Sequence, residues 1–442
     1  MGRGVPEQIG ASAVELRRRF DTGPMSRVQT VAVAVTVALS ALDGYDVLSV
    51  TFAAPAISHD WGLGKGALGV LLSAGLAGMA IGSLALAPLA DVMGRRRMVL
   101  ASLTLMAVGM LLSAIAPGVR ELALWRVATG LGIGAMVAVI NPLAAEFANA
   151  RRRALALSCM TVGYPMGGVL GGLASSILLA NFGWRSVFLA GSIAAALMIP
   201  VVLMLLPEPL AFLLARPRRD GLARANLLMA RCRQPSIDQL PPPPLRSDAG
   251  YRAVFARDRV GTTVRITAAN LLYVVMVYFL FSWLPQTLAD AGFAPATASL
   301  VAATLNLAGI LGGVTLGVLA RSVGLKRLTV AFVGVAGLAT AMLGLVPASL
   351  PVIVAVAATA GFFVFGGMSG LYATMSASFA TEARASGTGF AIGVGRVGSA
   401  AAPAAAGWLF ANGFDRSWVS LAFGMSALLA ATLLSLRSRS SP

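Results

Sequence analysis

The chain has 442 residues, of which 57% are hydrophobic and 12% charged, and it carries a net charge of +17. A soluble domain carries about 25% charged residues, so this composition excludes a water-soluble globular protein. The positive charge sits in short clusters between apolar runs, with no basic face and no aromatic-interleaved strand, which excludes a nucleic-acid-binding protein.

In chain order, residues 1–27 hold five arginines and no cleavage-site pattern, and read as a cytoplasmic tail. Apolar runs follow near 28–52, 67–89, 98–116, 122–145, 154–179 and 186–206. A polar segment at 207–260 interrupts them. It contains Arg216, Arg218, Arg219, Arg224, Arg231, Arg233 and four prolines at 241–244, and predicts a linker with a short surface helix near 219–231. Six more runs lie near 266–288, 296–320, 328–346, 352–379, 387–410 and 419–436. Each is long enough to cross a bilayer as a helix, which needs about 20 residues. The expected domains are therefore the tail at 1–27, a six-helix bundle at 28–206, the linker at 207–260, a second six-helix bundle at 261–437, and a tail at 438–442.

Arginine and lysine placement predicts the orientation. With the N-terminus inside, the clusters Arg17, Arg18 and Arg19, Arg95, Arg96 and Arg97, and Arg151, Arg152 and Arg153 are cytoplasmic, together with the linker arginines, Arg321, Lys326, Arg327 and Arg384. Only Lys65, Arg120, Arg185 and Arg416 fall outside. The positive-inside rule then places both termini in the cytoplasm. A bacterial inner membrane is the expected location.

The halves also repeat. LLANFGWRS at 178–186 matches LFANGFDRS at 409–417, and LADVMGRRR at 89–97 aligns with LARSVGLKR at 319–327. Offsets of 231 and 230 residues predict parallel repeats, which place a substrate at their interface near the midplane.

These features resemble the major facilitator superfamily. Its loop between the second and third helices has the form G-x-x-x-D-x-x-G-[RK]-[RK]; here Ala87 replaces the first glycine, followed by Asp91, Gly94, Arg95 and Arg96. The second half repeats it with Gly317, Gly324, Lys326 and Arg327, while Arg321 stands at the acidic position. Arg126, Gly130, Gly132 and Gly134 resemble the family's fourth helix, and LPEP at 206–209 resembles its ending of the sixth. ALDGYDVLSV at 41–50 and GVGRVG at 393–398 resemble the first and eleventh helices of its aromatic acid:proton symporter branch. The resemblance implies an all-α membrane protein, with twelve transmembrane helices in two pseudo-symmetric six-helix bundles. It implies proton-coupled import of small aromatic carboxylates such as benzoate, hydroxybenzoate or protocatechuate by alternating access. The proton gradient replaces any cofactor, the expected unit is a monomer in the lipid bilayer, and no enzymatic activity is expected. A drug or metabolite exporter of the same superfamily is the alternative, and a non-transporting receptor for aromatic acids is the alternative from another class.

Individual residues support this chemistry. Asp43 and Asp46 are spaced i, i+3 and share one face of the first helix. They lie about 5 and 9 Å from its middle. Charges at that depth are costly and face a cavity or a partner, so the pair is the candidate for proton coupling, against the alternative of a fixed structural ion pair. Arg126 lies at the depth of Asp46 and predicts an Asp46–Arg126 pair that protonation would release. A static salt bridge or a snorkelling arginine is the alternative. Arg396 lies near the middle of the eleventh helix, and its guanidinium fork fits the substrate carboxylate. A pair with a first-helix aspartate is the alternative.

Tyr164, Tyr273, Tyr278, Phe363 and Tyr372 are the candidate aromatic walls, and Asn141, Asn270 and Asn306 the candidate polar contacts; each has a plain packing role as its alternative. Asp91, Gly94, Arg95 and Arg96 form the expected gating motif. Trp61, Trp184 and Trp418 read as interface anchors. With His59 as the single histidine, no metal site is expected.

Overall fold

The computed structural model describes residues 20–215, 221–232, 234–237, 239–240, 255, 260–379 and 384–436. The proline run at 241–244 and most of both tails lie outside the described residues. Twelve long helices carry the fold. They are α1 (Arg27–Trp61), α2 (Lys65–Ile81), α3 (Arg95–Ala114), α4 (Val119–Phe147), α5 (Arg153–Asn181) and α6 (Arg185–Leu205), then α7 (Val260–Asp290), α8 (Pro295–Val323), α9 (Leu325–Leu345), α10 (Leu350–Ser378), α11 (Arg384–Ala411) and α12 (Arg416–Ser435). Eleven of them are long and apolar enough to span a bilayer. The remaining one, α11, has 28 residues and is made less apolar by six glycines and Arg396.

Two elements depart from the sequence expectation. The first run continues past residue 52 to Trp61 with Pro55 inside the helix, because in an apolar medium continuing the helix satisfies more backbone groups than ending it. The second run does not continue unbroken to residue 89. A π-turn at Gly82–Leu86 follows α2, and a short helix begins at Ala87–Met93. Pro88 has no N–H to donate to the carbonyl of Leu84, and the wider turn relieves that break.

The repeat predicted from sequence is present in the backbone. Among the described residues, six glycines have positive φ, and they form three pairs 230 residues apart: Gly62 with Gly292, Gly94 with Gly324, and Gly183 with Gly413. Polar contacts repeat as well. Arg185 donates to the carbonyl of Ala116, and Arg416 to that of Val346. Arg96 donates to the Leu203 carbonyl, and Lys326 to that of Leu436.

Between the halves, α2 packs on α11 and α5 on α8, with α1 meeting α7. The first two contacts exchange under the repeat, as a pseudo-twofold arrangement requires. An apolar core crosses the interface at the end where Lys65 lies, joining Ile57, Leu68 and Leu72 to Phe279, Trp283 and Ala406. The helix Gly221–Arg231 packs at the opposite end, where Ala225, Leu228 and Met229 join the core of the first half.

Candidate functional site

Asp43 and Asp46 are 1% and 0% exposed on α1, and all four carboxylate oxygens lack a hydrogen-bond partner. An unpaired buried carboxylate is rare because the cost of burying its charge is not offset, so each is an open valence in the core. The shared helix face expected from their spacing holds, and the two act on one another electrostatically.

Asp43 also lies within electrostatic range of Arg396 on α11. Arg396 in turn acts on Tyr164 of α5, Tyr278 of α7 and Tyr372 of α10. Tyr164 interacts with Asp43, Tyr278 and Tyr372, and its hydroxyl is buried without a partner. One acid, one guanidinium and three phenols, drawn from both halves, therefore converge between the bundles. Glycine permits part of this approach: a Cβ on Gly44 would overlap the Tyr164 carbonyl, so α1 and α5 meet backbone to backbone beside Asp43.

Arg126 occupies a different place. It is 1% exposed inside the first half. Its Nη2 donates to the backbone carbonyl of Asp46 at 2.7 Å, its Nη1 donates to the Met110 sulfur at 3.0 Å, and its guanidinium lies 5.7 Å from the Phe188 ring centre. The sequence predicted a pair with the Asp46 carboxylate; the structure instead has Arg126 grip the carbonyl. All these neighbours belong to the first half, so Arg126 is packed away from the Arg396 cluster, and Asp43 and Asp46 link the two groups.

Several expected wall residues are committed to packing. The Tyr273 hydroxyl donates to the Val364 carbonyl at 2.7 Å, tying α7 to α10. Phe363 lies edge-on to Phe332 and Phe362 in an aromatic cluster of the second half. Asn270 donates to the Ala391 carbonyl at 2.8 Å and braces α7 against α11, leaving its oxygen unpartnered. Asn306 donates to its own helix at Ala302 and its oxygen, also unpartnered, faces Gly168 across the α5–α8 contact. Asn141 is exposed and bonds only to Val137 at 3.5 Å. Trp184, expected as an interface anchor, is 5% exposed and packs on Trp61 and Phe188, whereas Trp418 is 65% exposed.

The expected gating motif centres on Gly94, whose φ of 108° and ψ of 146° suit glycine. Glu208 lies against it. Its Oε1 accepts from the backbone N–H of Arg95 at 2.5 Å and of Arg96 at 3.3 Å, capping the start of α3. Arg95 pairs with Glu146 on α4. The side chain of Asp91 lies outside the described residues. Burial raises the Glu208 carboxyl above its usual range, opposed by the two N–H donors and the charges of Arg96 and Arg97. Glu208 stands in the LPEP segment, but its role at Arg95, 113 residues away, has no signal in the local sequence.

Two duplicated six-helix halves with titratable groups held between them are the architecture of a membrane transporter, not of an enzyme. The chain belongs to the Major Facilitator Superfamily, whose family model matches residues 35–287. A gallate transporter of Pseudomonas putida is 29% identical, over 95% of this chain and 94% of its own length. The 3-(3-hydroxy-phenyl)propionate transporter of Escherichia coli K12 is 30% identical, over 93% of this chain and 95% of its own. Among solved structures, the xylose transporter XylE of Escherichia coli in a partially occluded inward-open conformation superposes with a TM-score of 0.70, covering 91% of this chain and 98% of that one at 15% identity. That likeness concerns the fold alone.

Proposed function

We propose that this protein imports small aromatic carboxylates by proton symport with alternating access. The observation that carries the reading is the electrostatic proximity of Asp43, Arg396 and three tyrosines drawn from both halves. A guanidinium at mid-depth calls for an anion, and the tyrosines supply apolar faces with polar edges for an aryl ring. The Asp43 oxygens are unpaired and so are free to take up a proton. The names of the relatives, transporters of gallate and of a hydroxyphenyl propionate, support the substrate class.

In this reading the arginine-rich end faces the cytoplasm and the Lys65 end faces outward, in a bacterial inner membrane, with both termini inside and a single chain as the working unit. The domains are the two bundles at 28–206 and 261–437, joined by the cytoplasmic linker at 207–260. Toward the Lys65 end, Lys65 pairs with Asp290 and Ser73 accepts from the Ala404 N–H, linking the two halves. This arrangement fits a carrier closed outward. Rocking one bundle against the other then moves the site between the two faces.

The test is uptake by proteoliposomes of a panel of radiolabelled aryl acids under an imposed inward proton gradient. Accumulation that collapses with the gradient is the expected result. Absence of aryl-acid uptake, with counterflow of a lipophilic cation instead, overturns the reading.

A further inference from the structure

Arg126 holds a strong acceptor with one nitrogen and a weak one with another. Nη2 donates to the Asp46 carbonyl at 2.7 Å and Nη1 to the Met110 thioether at 3.0 Å, while Nε has no partner. A thioether is a poor acceptor for a guanidinium, yet the Asp46 carboxylate close by is left without any bond. The two alternatives lie beside one another, packed against Gly191. A Cβ placed on Gly191 of α6 would lie 3.1 Å from Asp46 Oδ1 and would overlap the Met110 methyl. The charged and titratable groups facing Asp46 are Asp43 and Tyr45 on its own helix and Arg126 on α4. From α3 and α6 come Met110, Phe188 and Gly191.

We propose that Met110 is a positioning residue for proton coupling: its sulfur is the resting acceptor for Arg126 and keeps the guanidinium off the Asp46 carboxylate while that carboxylate carries a proton. The inference rests on the proton-coupled reading above. When Asp46 gives its proton to a water on the side then open, its O–H bond is exchanged for one to that water, and the new negative charge draws Nη1 from sulfur to oxygen, a switch of hydrogen bonds alone. Leaving a thioether costs little, so the exchange is cheap in both directions. A backbone carbonyl or an amide at the same place would hold the guanidinium too firmly. The grip of Nη2 on the Asp46 carbonyl serves as the pivot and does not change.

The test uses purified full-length protein in lipid, without substrate, and follows by infrared spectroscopy the pH midpoint of the carboxylic-acid band that Asp46→Asn removes. Met110→Leu keeps the side-chain volume and removes the acceptor. It frees Arg126 for the carboxylate and moves the midpoint about one unit toward acid. Met110→Gln supplies a stronger acceptor and moves it about as far toward alkali. Opposite shifts support the proposal; shifts of the same sign, or none, overturn it. Because no substrate is present, failure of aryl-acid uptake would speak against the proposed function and leave this measurement intact.

Discussion

Lys65 at the start of α2 and Asp290 at the end of α7 form an ion pair of 2.5 Å that ties one half of the molecule to the other. Gln286 supports it by donating to Asp290 Oδ1 at 2.9 Å. The pair borders a cavity of about 920 Å³ that also takes in His59, Asp60 and Arg185. Below it the interface is apolar and closed, so the pair sits as a latch on the rim of a packed seam.

Removing the latch is expected to ease opening at this end without unfolding either half. The partners are 33% and 45% exposed, and such pairs contribute about 0–1 kcal/mol, or at most about a fivefold change in a conformational equilibrium. Thr51, buried in the closed seam, is the reporter. Thiol labelling of Thr51→Cys, in a background without Cys159 and Cys232, should rise up to about fivefold on Asp290→Ala. The reversed pair Lys65→Asp with Asp290→Lys should restore the slower rate. Labelling unchanged by Asp290→Ala would show that the apolar seam alone holds the closure.

Arg396→Lys is expected to raise KM for aryl acids by about 10–100-fold with a smaller change in kcat. Lysine keeps the charge and loses the planar fork that binds a carboxylate bidentately, and a charge-assisted hydrogen bond is worth about 1.5–3 kcal/mol. Since Asp43 makes no hydrogen bond to Arg396, Asp43→Asn should leave the KM contrast between arginine and lysine in place. Counterflow kinetics in proteoliposomes at equal internal and external pH, for the four combinations, decide it. If Asp43→Asn abolished the contrast, Arg396 would be a structural partner of the aspartate.

Asp46→Asn is expected to separate transport from its driving force. The amide keeps the shape of the side chain and leaves the carbonyl that Arg126 grips at 2.7 Å, so the fold of the first half is preserved. Counterflow between equal internal and external pH should persist, while accumulation driven by a proton gradient should fall to the counterflow level. Full gradient-driven accumulation by the variant would remove Asp46 from the coupling path.

Residues that violate their surroundings were the ones visible in advance. Asp43, Asp46 and Arg396 stand out as charges inside apolar runs, and the structure finds them buried or half-buried near one another. The repeat was visible in the matched stretches 178–186 with 409–417 and 89–97 with 319–327, the second of which carries Gly94 and Gly324, turns with positive φ in both halves. What failed to show was the choice among chemically similar neighbours. Tyr273 and Tyr278 both lie on α7 near mid-depth, yet one hydroxyl is fixed to Val364 and the other ring faces the Arg396 cluster, a difference set by helix phase and crossing geometry. Met110 reads as one more core methionine, and only the approach of α3 to α4 turns its sulfur toward Arg126.

The two halves offer an internal control for the Gly94 turn. Gly94 and Gly324 have matching backbones, with φ of 108° and 94°, where a side chain is strained by about 1–3 kcal/mol. A Cβ on Gly324 would meet nothing within 4 Å, whereas one on Gly94 would meet the Glu208 carboxylate at 2.9 Å. Gly94→Ala should therefore destabilise the protein in detergent more than Gly324→Ala, and Glu208→Ala should narrow the gap. Glu208 adds a pH dependence. Burial lifts its carboxyl above the ordinary 4.5, so the folded state holds that proton more tightly than the unfolded chain. The resulting stabilisation is complete below 4.5 and is lost as pH rises through the folded value. Glu208→Gln, which keeps an acceptor for the Arg95 N–H, should remove that slope, so the thermal stability of variant and wild type should diverge in favour of the variant as pH rises above 4.5. A wild-type curve falling no more steeply than that of the glutamine variant over this range would mean that Glu208 is held ionised by Arg95, Arg96 and Arg97 throughout.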